Sequence, residues 1–248
     1  MLTLLFSRTF LLVGGMILIT AIAARANKAF ETKREMWITF ISTFVFLFLI
    51  QFFVDFFPQN IILVAIFSAL IGWQIGPTIE LFGKQFKLKK FLKARNIILK
   101  KKEKLSKELL DEFEKSLVLE PQKNEWNIIV YQALSATAVA VLATASMVFL
   151  TSINFSFLGG FLFIALLILV VMGLLNIFFF HSPFFSLVSA YIGVILFTLY
   201  LLYDFDRLEK FADDQTWSTA ITIAVNIYLD IINLFLDILQ ILGSTSSD

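Results

Sequence analysis

The 248-residue chain contains no cysteine and only one histidine, His181. The lack of cysteine excludes disulfide bonds, thiolate metal sites and a cysteine nucleophile, and one imidazole cannot build a centre with several histidine ligands. Charge is scarce as well, because 16% of the residues are Asp, Glu, Lys or Arg whereas 59% are hydrophobic. A soluble domain carries about 25% charged residues, so this composition predicts a polytopic membrane protein.

Seven segments of the chain are apolar over the roughly 20 residues that are needed to cross a bilayer. Short turns separate most of them, so we expect an all-α membrane protein with seven transmembrane helices in a single domain, residues 1–248. We expect the first segment to be an anchor helix rather than a cleaved signal peptide, because its apolar run is longer than usual for a signal. The predicted spans are Leu4 to Ala24, Trp37 to Phe56, Ile61 to Phe82, Ile128 to Thr151, Phe157 to Phe180, Phe184 to Tyr203 and Thr216 to Leu242.

Residues 83–126, the basic insertion, separate the third and fourth predicted spans. They carry 13 basic and 7 acidic residues, so this segment lies outside the membrane. An apolar residue at every fourth position, followed by a proline, predicts an amphipathic helix within it. We interpret that helix as lying on its own protein or on anionic headgroups, and no interleaved aromatic residues favour nucleic acid. The residues of this pattern are Leu105, Leu109, Phe113, Leu117 and Pro121.

Positive charge is unevenly distributed among the connections. Those after the first and third predicted spans carry 4 and 13 Lys and Arg residues, whereas the N-terminus and the connection after the sixth span together carry three. The positive-inside rule therefore predicts that the first and third connections are cytoplasmic.

No hydrolase, transferase or nucleotide-binding motif occurs at a usable place in the sequence, so we expect neither an enzyme nor a cofactor.

Ionisable residues at membrane depth are the clearer indication of a functional site, because a charge near the bilayer centre costs about 3 kcal/mol or more. Glu80 is a secondary candidate, since it lies near a span end and follows a predicted kink at Pro77. Asp204 lies in the last turn of the sixth span, and we interpret Asp206 as marking the exit into water.

The seventh predicted span carries a polar stripe within the sequence NIYLDIINLFLDILQ. Its five polar residues recur at spacings of four and three, so they share one face of a helix. Asp230 lies about 20 Å along this span at 1.5 Å per residue, which places a carboxylate deep in the membrane. The stripe consists of Asn226, Asp230, Asn233, Asp237 and Gln240.

Two carboxylates on packed helices, Asp204 and Asp230, have three options. They share a proton, bind a cation through their oxygens, or pair with a base from elsewhere. Protonation would switch such a pair between a closed, hydrogen-bonded state and a charged state that separates or captures a cation. The pair would then act as a pH sensor and an ion gate; the alternative is a polar ladder that only holds the seventh helix in the bundle.

Several motifs, in their order and spacing, resemble the transmembrane Bax inhibitor motif family, whose bacterial members include the YccA-like proteins. VYQALSATA opens the fourth span, NFSFLGGFLF opens the fifth and YIGVILFTLYLLYD forms the sixth. LYDFDRL then ends the sixth span, and IYLDIINLFLDILQIL lies in the seventh. The resemblance covers nearly the whole chain.

The resemblance implies that six helices surround a more polar seventh, and that the protein is a pH-sensitive passive Ca²⁺ leak in a prokaryotic plasma membrane. It assigns the proton and ion gate, and with it the candidate Ca²⁺ ligands, to Asp204 and Asp230. An aspartyl hydrolase is a weaker alternative because the GxGD-type context is absent. A stronger one is a regulatory membrane protein whose basic insertion docks a partner such as a membrane-bound quality-control protease. We expect the ion path to be lined also by Asp206, Asn226, Asn233, Asp237 and Glu80.

This chain differs from the family pattern in three respects. Asp206 stands where a YDTQ-like stretch has glutamine, and the basic insertion replaces a short connection. The family is also usually drawn with its N-terminus in the cytoplasm, which would put the basic insertion outside, opposite to the charge count.

Overall fold

The computed structural model describes residues 4–97, 106–119, 123–151 and 153–246. Within these ranges, seven helices are long and apolar enough to cross a membrane by length and composition. The predicted all-α fold with seven candidate spans is therefore confirmed. The helices are α1 (Leu4–Ala26), α2 (Lys33–Phe52), α3 (Gln59–Ala94), α4 (Lys107–Leu119), α5 (Lys123–Leu150), α6 (Leu158–Leu175, continued by a π-helical segment, Asn176–Phe180), α7 (Pro183–Lys210) and α8 (Trp217–Thr245).

Two helices extend well past the ends predicted for the corresponding spans. α3 continues to Ala94 instead of ending at Phe82, and α7 continues to Lys210 instead of ending at Tyr203. Hydropathy indicates where a helix leaves the membrane and not where it ends, and Lys, Arg, Glu and Leu are all good helix formers. Asp204 and Asp206 consequently lie inside α7 and not in a loop after it.

The starts of α7 and α8 are fixed by their local sequence. Ser182 caps α7 by accepting a hydrogen bond from the backbone N–H of residue 185, and Pro183 follows at the first helical position. Thr216 caps α8 by accepting from the backbone N–H of Thr219. Asp214 accepts a further hydrogen bond, of 2.6 Å, from the Thr219 hydroxyl. That bond, together with those from Thr216, holds the pKa of Asp214 below its ordinary value.

α8 is the most buried of the seven spans. In its most apolar window 56% of the residues are buried, against 6–33% in the other six spans. α8 packs against α1, α3, α5 and α7, whereas α2 packs mainly on α3, and α6 packs mainly on α7. Four of the six other spans therefore make extensive contacts with α8.

The spans define two sides of the bundle. The α7–α8 loop side contains residues 211–216, and here Arg8 of α1 donates a hydrogen bond to the backbone oxygen of Gln215. The α4 side contains α4, the end of α3 and the end of α8, and here the ring of Trp126 packs against Gly243 of α8. Lys28 of the first connection lies 3.9 Å from Glu80 of α3, so the first connection is on the α4 side together with the third.

Two glycines allow α1 and α3 to cross closely. A Cβ atom added at Gly76 would overlap the backbone oxygens of Asn27 and Ala24, and one added at Gly72 would lie 2.8 Å from Cβ of Ala23. Helix pairs in membranes use small residues for such approaches because packing, and not the hydrophobic effect, drives their association. This crossing holds α1 against α3, and α1 also packs against α8.

α4 lies within the basic insertion, where the amphipathic helix was predicted, and Leu105 and Pro121 of the predicted pattern lie outside the described residues. α4 packs on the extended end of α3, where the rings of Phe91 and Phe113 meet at 5.5 Å between centroids. Arg95 and Glu112 add an ion pair. The apolar side of α4 thus lies, at least through Phe113, on its own protein.

Candidate functional site

Asp204 of α7 and Asp230 of α8 meet inside the bundle. Their residues are 2% and 6% exposed, and their carboxyl groups lie close enough to interact directly. Ionised carboxylates only accept hydrogen bonds, so two of them form a hydrogen bond only when they share a proton. The structure therefore brings together the two aspartates that the sequence singled out, in a geometry suited to holding a proton.

One oxygen of this pair has no donor. Oδ2 of Asp230 is buried and accepts no hydrogen bond from any residue that the structure describes. A buried polar atom without a partner costs about 1–3 kcal/mol. A proton on the pair, or a cation next to it, would remove that cost, and these are the two species that paired carboxylates hold.

The basic partner of the pair comes from α7 itself. Nη1 of Arg207 lies 3.5 Å from Oδ1 of Asp204, one helical turn away, and the guanidinium group lies over the ring of Tyr203. One guanidinium group faces two carboxyl groups, so the cluster is negative when both are ionised. The predicted sixth span ends at Tyr203 and so does not include Arg207.

Two further side chains surround the carboxyl groups. Asn226, one turn before Asp230 on α8, lies close enough to the carboxyl group of Asp204 to interact with it. Tyr200 lies close enough to interact electrostatically with both Asp204 and Asp230. Sequence reasoning missed Tyr200, although its position four residues before Asp204 places it on the same helical face.

The remainder of the polar stripe also faces α7. The carboxyl group of Asp237 lies directly against Gly193, where its Cγ would be 2.8 Å from an added Cβ. Nε2 of Gln240 donates a hydrogen bond of 2.6 Å to the hydroxyl of Ser186. Asn233 makes no side-chain hydrogen bond to a described residue. The stripe is therefore a seam between α7 and α8 that runs from the aspartate pair toward the α4 side.

Asp206 and Glu80 lie outside this seam. Asp206 is 2% exposed, accepts hydrogen bonds from Lys210 at 2.7 Å and from the hydroxyl of Ser156 at 3.0 Å, and does not mark an exit into water. That interpretation was wrong because α7 continues past it and the α5–α6 connection covers it. Glu80 is half-exposed and lies 3.9 Å from Lys28 at the α4 side.

The candidate Ca²⁺ site at Asp204 and Asp230 is not a complete cage. Within the described part of the chain, no group of three or more His, Asp or Glu side chains is arranged to hold a metal ion. Ca²⁺ usually takes six to eight oxygen ligands, so water and amide oxygens would have to complete its shell.

Seven apolar spans that enclose a buried acidic pair define an integral, multi-pass membrane protein. The family model described as Bax1-I, "Inhibitor of apoptosis-promoting Bax1", matches residues 123–247, which is half of the chain and includes α5 to α8. The chain belongs to this Bax inhibitor family.

The relatives include bacterial, plant and fungal proteins. An uncharacterized protein of Helicobacter pylori is 39% identical over 114 residues, which is 46% of this chain and 47% of that protein. Protein LIFEGUARD 4 of Arabidopsis thaliana is 37% identical over 118 residues, 46% of each chain. Bax inhibitor 1 of Schizosaccharomyces pombe is 34% identical over 116 residues, 46% of this chain and 42% of its own. The chain thus spans about half the length of the curated relatives it matches, and its bacterial relatives fit a prokaryotic plasma membrane.

Proposed function

We propose that this protein is a passive cation leak, with Ca²⁺ as the favoured ion, and that protonation of the Asp204–Asp230 pair gates it. The observation that carries the proposal is the buried contact between the two carboxyl groups, in which Oδ2 of Asp230 has no donor. Carboxylate and amide oxygens are the ligands that Ca²⁺ prefers. The family resemblance supports the same function.

The closed state is the one in which the pair shares a proton. When that proton leaves, the two buried negative charges repel each other, and the low dielectric constant around them leaves this repulsion little screened. Arg207 offsets part of this repulsion for Asp204, whereas Asp230 has no basic side chain next to it among the described residues. Separation of α7 and α8 around the pair, or capture of a cation between them, relieves the rest. Leak should therefore rise with pH.

The test is Ca²⁺ entry into liposomes that contain the purified protein and a trapped Ca²⁺ indicator. We expect entry with the wild-type protein and a loss of most of it with Asp230→Asn, since an amide holds the hydrogen bond but neither ionises nor attracts a cation. Asp55→Asn is the matched control, because Asp55 is exposed beyond the end of α2. Wild-type liposomes no leakier than empty ones, or equal entry with Asp230→Asn, would overturn the proposal.

A second candidate function is partner binding by the basic insertion, in a membrane protein that regulates another. The observation in its favour is Leu110, a large apolar side chain that is 44% exposed on α4 although Phe113 of the same helix is buried. Replacement of residues 96–122 by a Gly-Ser linker keeps the ion pair between Lys90 and Glu125. A purely regulatory role predicts no Ca²⁺ entry with either protein, whereas the leak predicts entry with both.

A further inference from the structure

A chain of buried hydrogen bonds ties the middle of α8 to α1 and α3. The hydroxyl of Thr20 donates to the backbone oxygen of Ser68 at 3.0 Å, and it lies 2.6 Å from the hydroxyl of Tyr228. A threonine hydroxyl has one hydrogen to donate, so Thr20 accepts a hydrogen bond from Tyr228. These three residues, which we call the α8 anchor, are all buried. The anchor therefore joins α8 to α1 and α1 to α3.

The packing around the anchor restricts its movement. The ring of Phe67 on α3 meets the ring of Tyr228 edge-on, with 6.2 Å between the centroids. Gly72 of α3 admits the backbone of Thr20, because an added Cβ atom would lie 2.9 Å from Cα of Thr20. A buried hydroxyl that loses its partner is costly. The anchor therefore favours one rotation of α8 about its own axis.

The anchor holds the face of α8 that is opposite to the aspartate pair. Tyr228 precedes Asp230 by two residues, which is about 200° around a helix and about 3 Å along it. A rotation of α8 that breaks the anchor therefore also takes Asp230 away from Asp204. The ionisable side chains that the described part of the chain places next to the pair are Arg207 and Tyr200. Tyr228 can act on the pair only through the position of α8.

We propose that Tyr228 is a positioning residue for the gate, and that its hydrogen bond to Thr20 holds α8 at the rotation that brings Asp230 to Asp204. The proposal rests on the gating role of the pair. Without the hydroxyl of Tyr228, α8 turns away from α7 more readily. The two carboxyl groups then part at a lower pH than in the wild type.

The first test is the pH profile of Ca²⁺ entry into liposomes that contain Tyr228→Phe. This substitution removes the donor and keeps the ring, and Thr20 keeps its own bond to Ser68. We expect half-maximal entry to shift to lower pH by up to about one unit, which is the size that one net hydrogen bond allows. Tyr131→Phe is the matched control with the wild-type profile, because Tyr131 is 68% exposed.

Variants of Thr20 separate positioning from a purely structural role. Thr20→Val should shift the profile in the same direction as Tyr228→Phe, whereas Thr20→Ser keeps the hydroxyl and should keep the wild-type profile. The double variant should shift it no further than the larger single shift, since both substitutions remove the same hydrogen bond. A lower unfolding temperature with an unchanged pH profile, or shifts that add in the double variant, would overturn the proposal.

Cross-linking tests the position of α8 without any flux, because the wild-type chain has no cysteine. Cγ of Asp237 would lie 2.8 Å from a Cβ atom at Gly193. The Cβ atoms of Gly193→Cys and Asp237→Cys therefore come within the about 4.5 Å that a disulfide allows. At one fixed pH we expect the disulfide to form several-fold more slowly when Tyr228→Phe is added, and at an unchanged rate with Tyr131→Phe. Equal rates with and without Tyr228→Phe would overturn the proposal.

The two assays together separate a failure of this proposal from a failure of the leak function. Entry whose pH dependence is lost in Asp230→Asn but unaffected by Tyr228→Phe would leave the gate standing and remove the positioning role. Entry that is absent in all proteins, together with slower cross-linking in Tyr228→Phe, would remove the leak and keep the role of Tyr228 in placing α8. All variants are compared by size-exclusion chromatography, so that a misfolded protein is recognised.

Discussion

Asp230→Asn should make the protein more stable while it removes the gate. In the wild-type protein Oδ2 of Asp230 is buried without a donor. When ionised, the neighbouring Asp204 carries the same negative charge as Asp230. An amide at position 230 can donate a hydrogen bond to Asp204 and carries no charge. Removal of an unpaired buried acceptor is worth about 1–3 kcal/mol.

Thermal unfolding of the purified protein in detergent measures this effect. For a chain of this size each kcal/mol corresponds to about 2–4 °C in the unfolding temperature, so we expect a rise of several degrees at neutral pH. The rise should shrink as the pH falls, because a protonated Asp230 can donate the same hydrogen bond as the amide. Asp204→Asn should stabilise less, since it leaves Arg207 without its carboxylate.

Asp55→Asn, on an exposed side chain, controls for the general effect of removing a negative charge. An unfolding temperature for Asp230→Asn that equals or falls below that of the wild type at neutral pH, in a folded and monodisperse protein, would refute the reasoning. That result would mean that the two carboxyl groups do not destabilise the folded protein. Their contact would then be no reason to assign them a function.

Two further predictions concern the fold around the site. Gly76→Ala should destabilise the protein by about 1–3 kcal/mol by overpacking, because the added Cβ meets the backbone of Asn27, whereas Gly14→Ala, with nothing within 4 Å, should be neutral or stabilising in thermal unfolding. The hydrogen bond from Thr219 lowers the pKa of Asp214. The stability that the ionised Asp214 contributes is therefore complete above the ordinary carboxyl pKa. It is lost as the pH falls through the lowered pKa of Asp214. We expect the unfolding temperature of Asp214→Asn to depend less on pH in the acidic range than that of the wild type. The same acid dependence in both proteins would contradict this prediction.

The sequence was sufficient to predict the seven spans and the face of α8 that turns toward α7. Span assignment depends on local composition, and the spacing of Asp230, Asp237 and Gln240 is a property of any helix. The contacts of all three with α7 agree with that expectation. The depth of Asp230 followed from the rise per residue alone.

The partners of these residues could not be predicted in the same way. Arg207 approaches Asp204 only because α7 continues for two turns after its apolar run ends. The seat of Asp237 on Gly193 depends on how α7 and α8 are rotated against each other, which no local pattern specifies. Asp206 is buried because Ser156, fifty residues earlier in the chain, lies over it. Such contacts depend on tertiary packing.

The pH profile of Ca²⁺ entry into liposomes tests the gate most directly. Initial rates are measured from acidic to alkaline pH for the wild type, Asp204→Asn, Asp230→Asn and the Asp55→Asn control. The gate at Asp204 and Asp230 predicts that entry rises with pH in the wild type and the control, and that either substitution in the pair abolishes this dependence. The same pH profile in the wild type and in Asp230→Asn would contradict it.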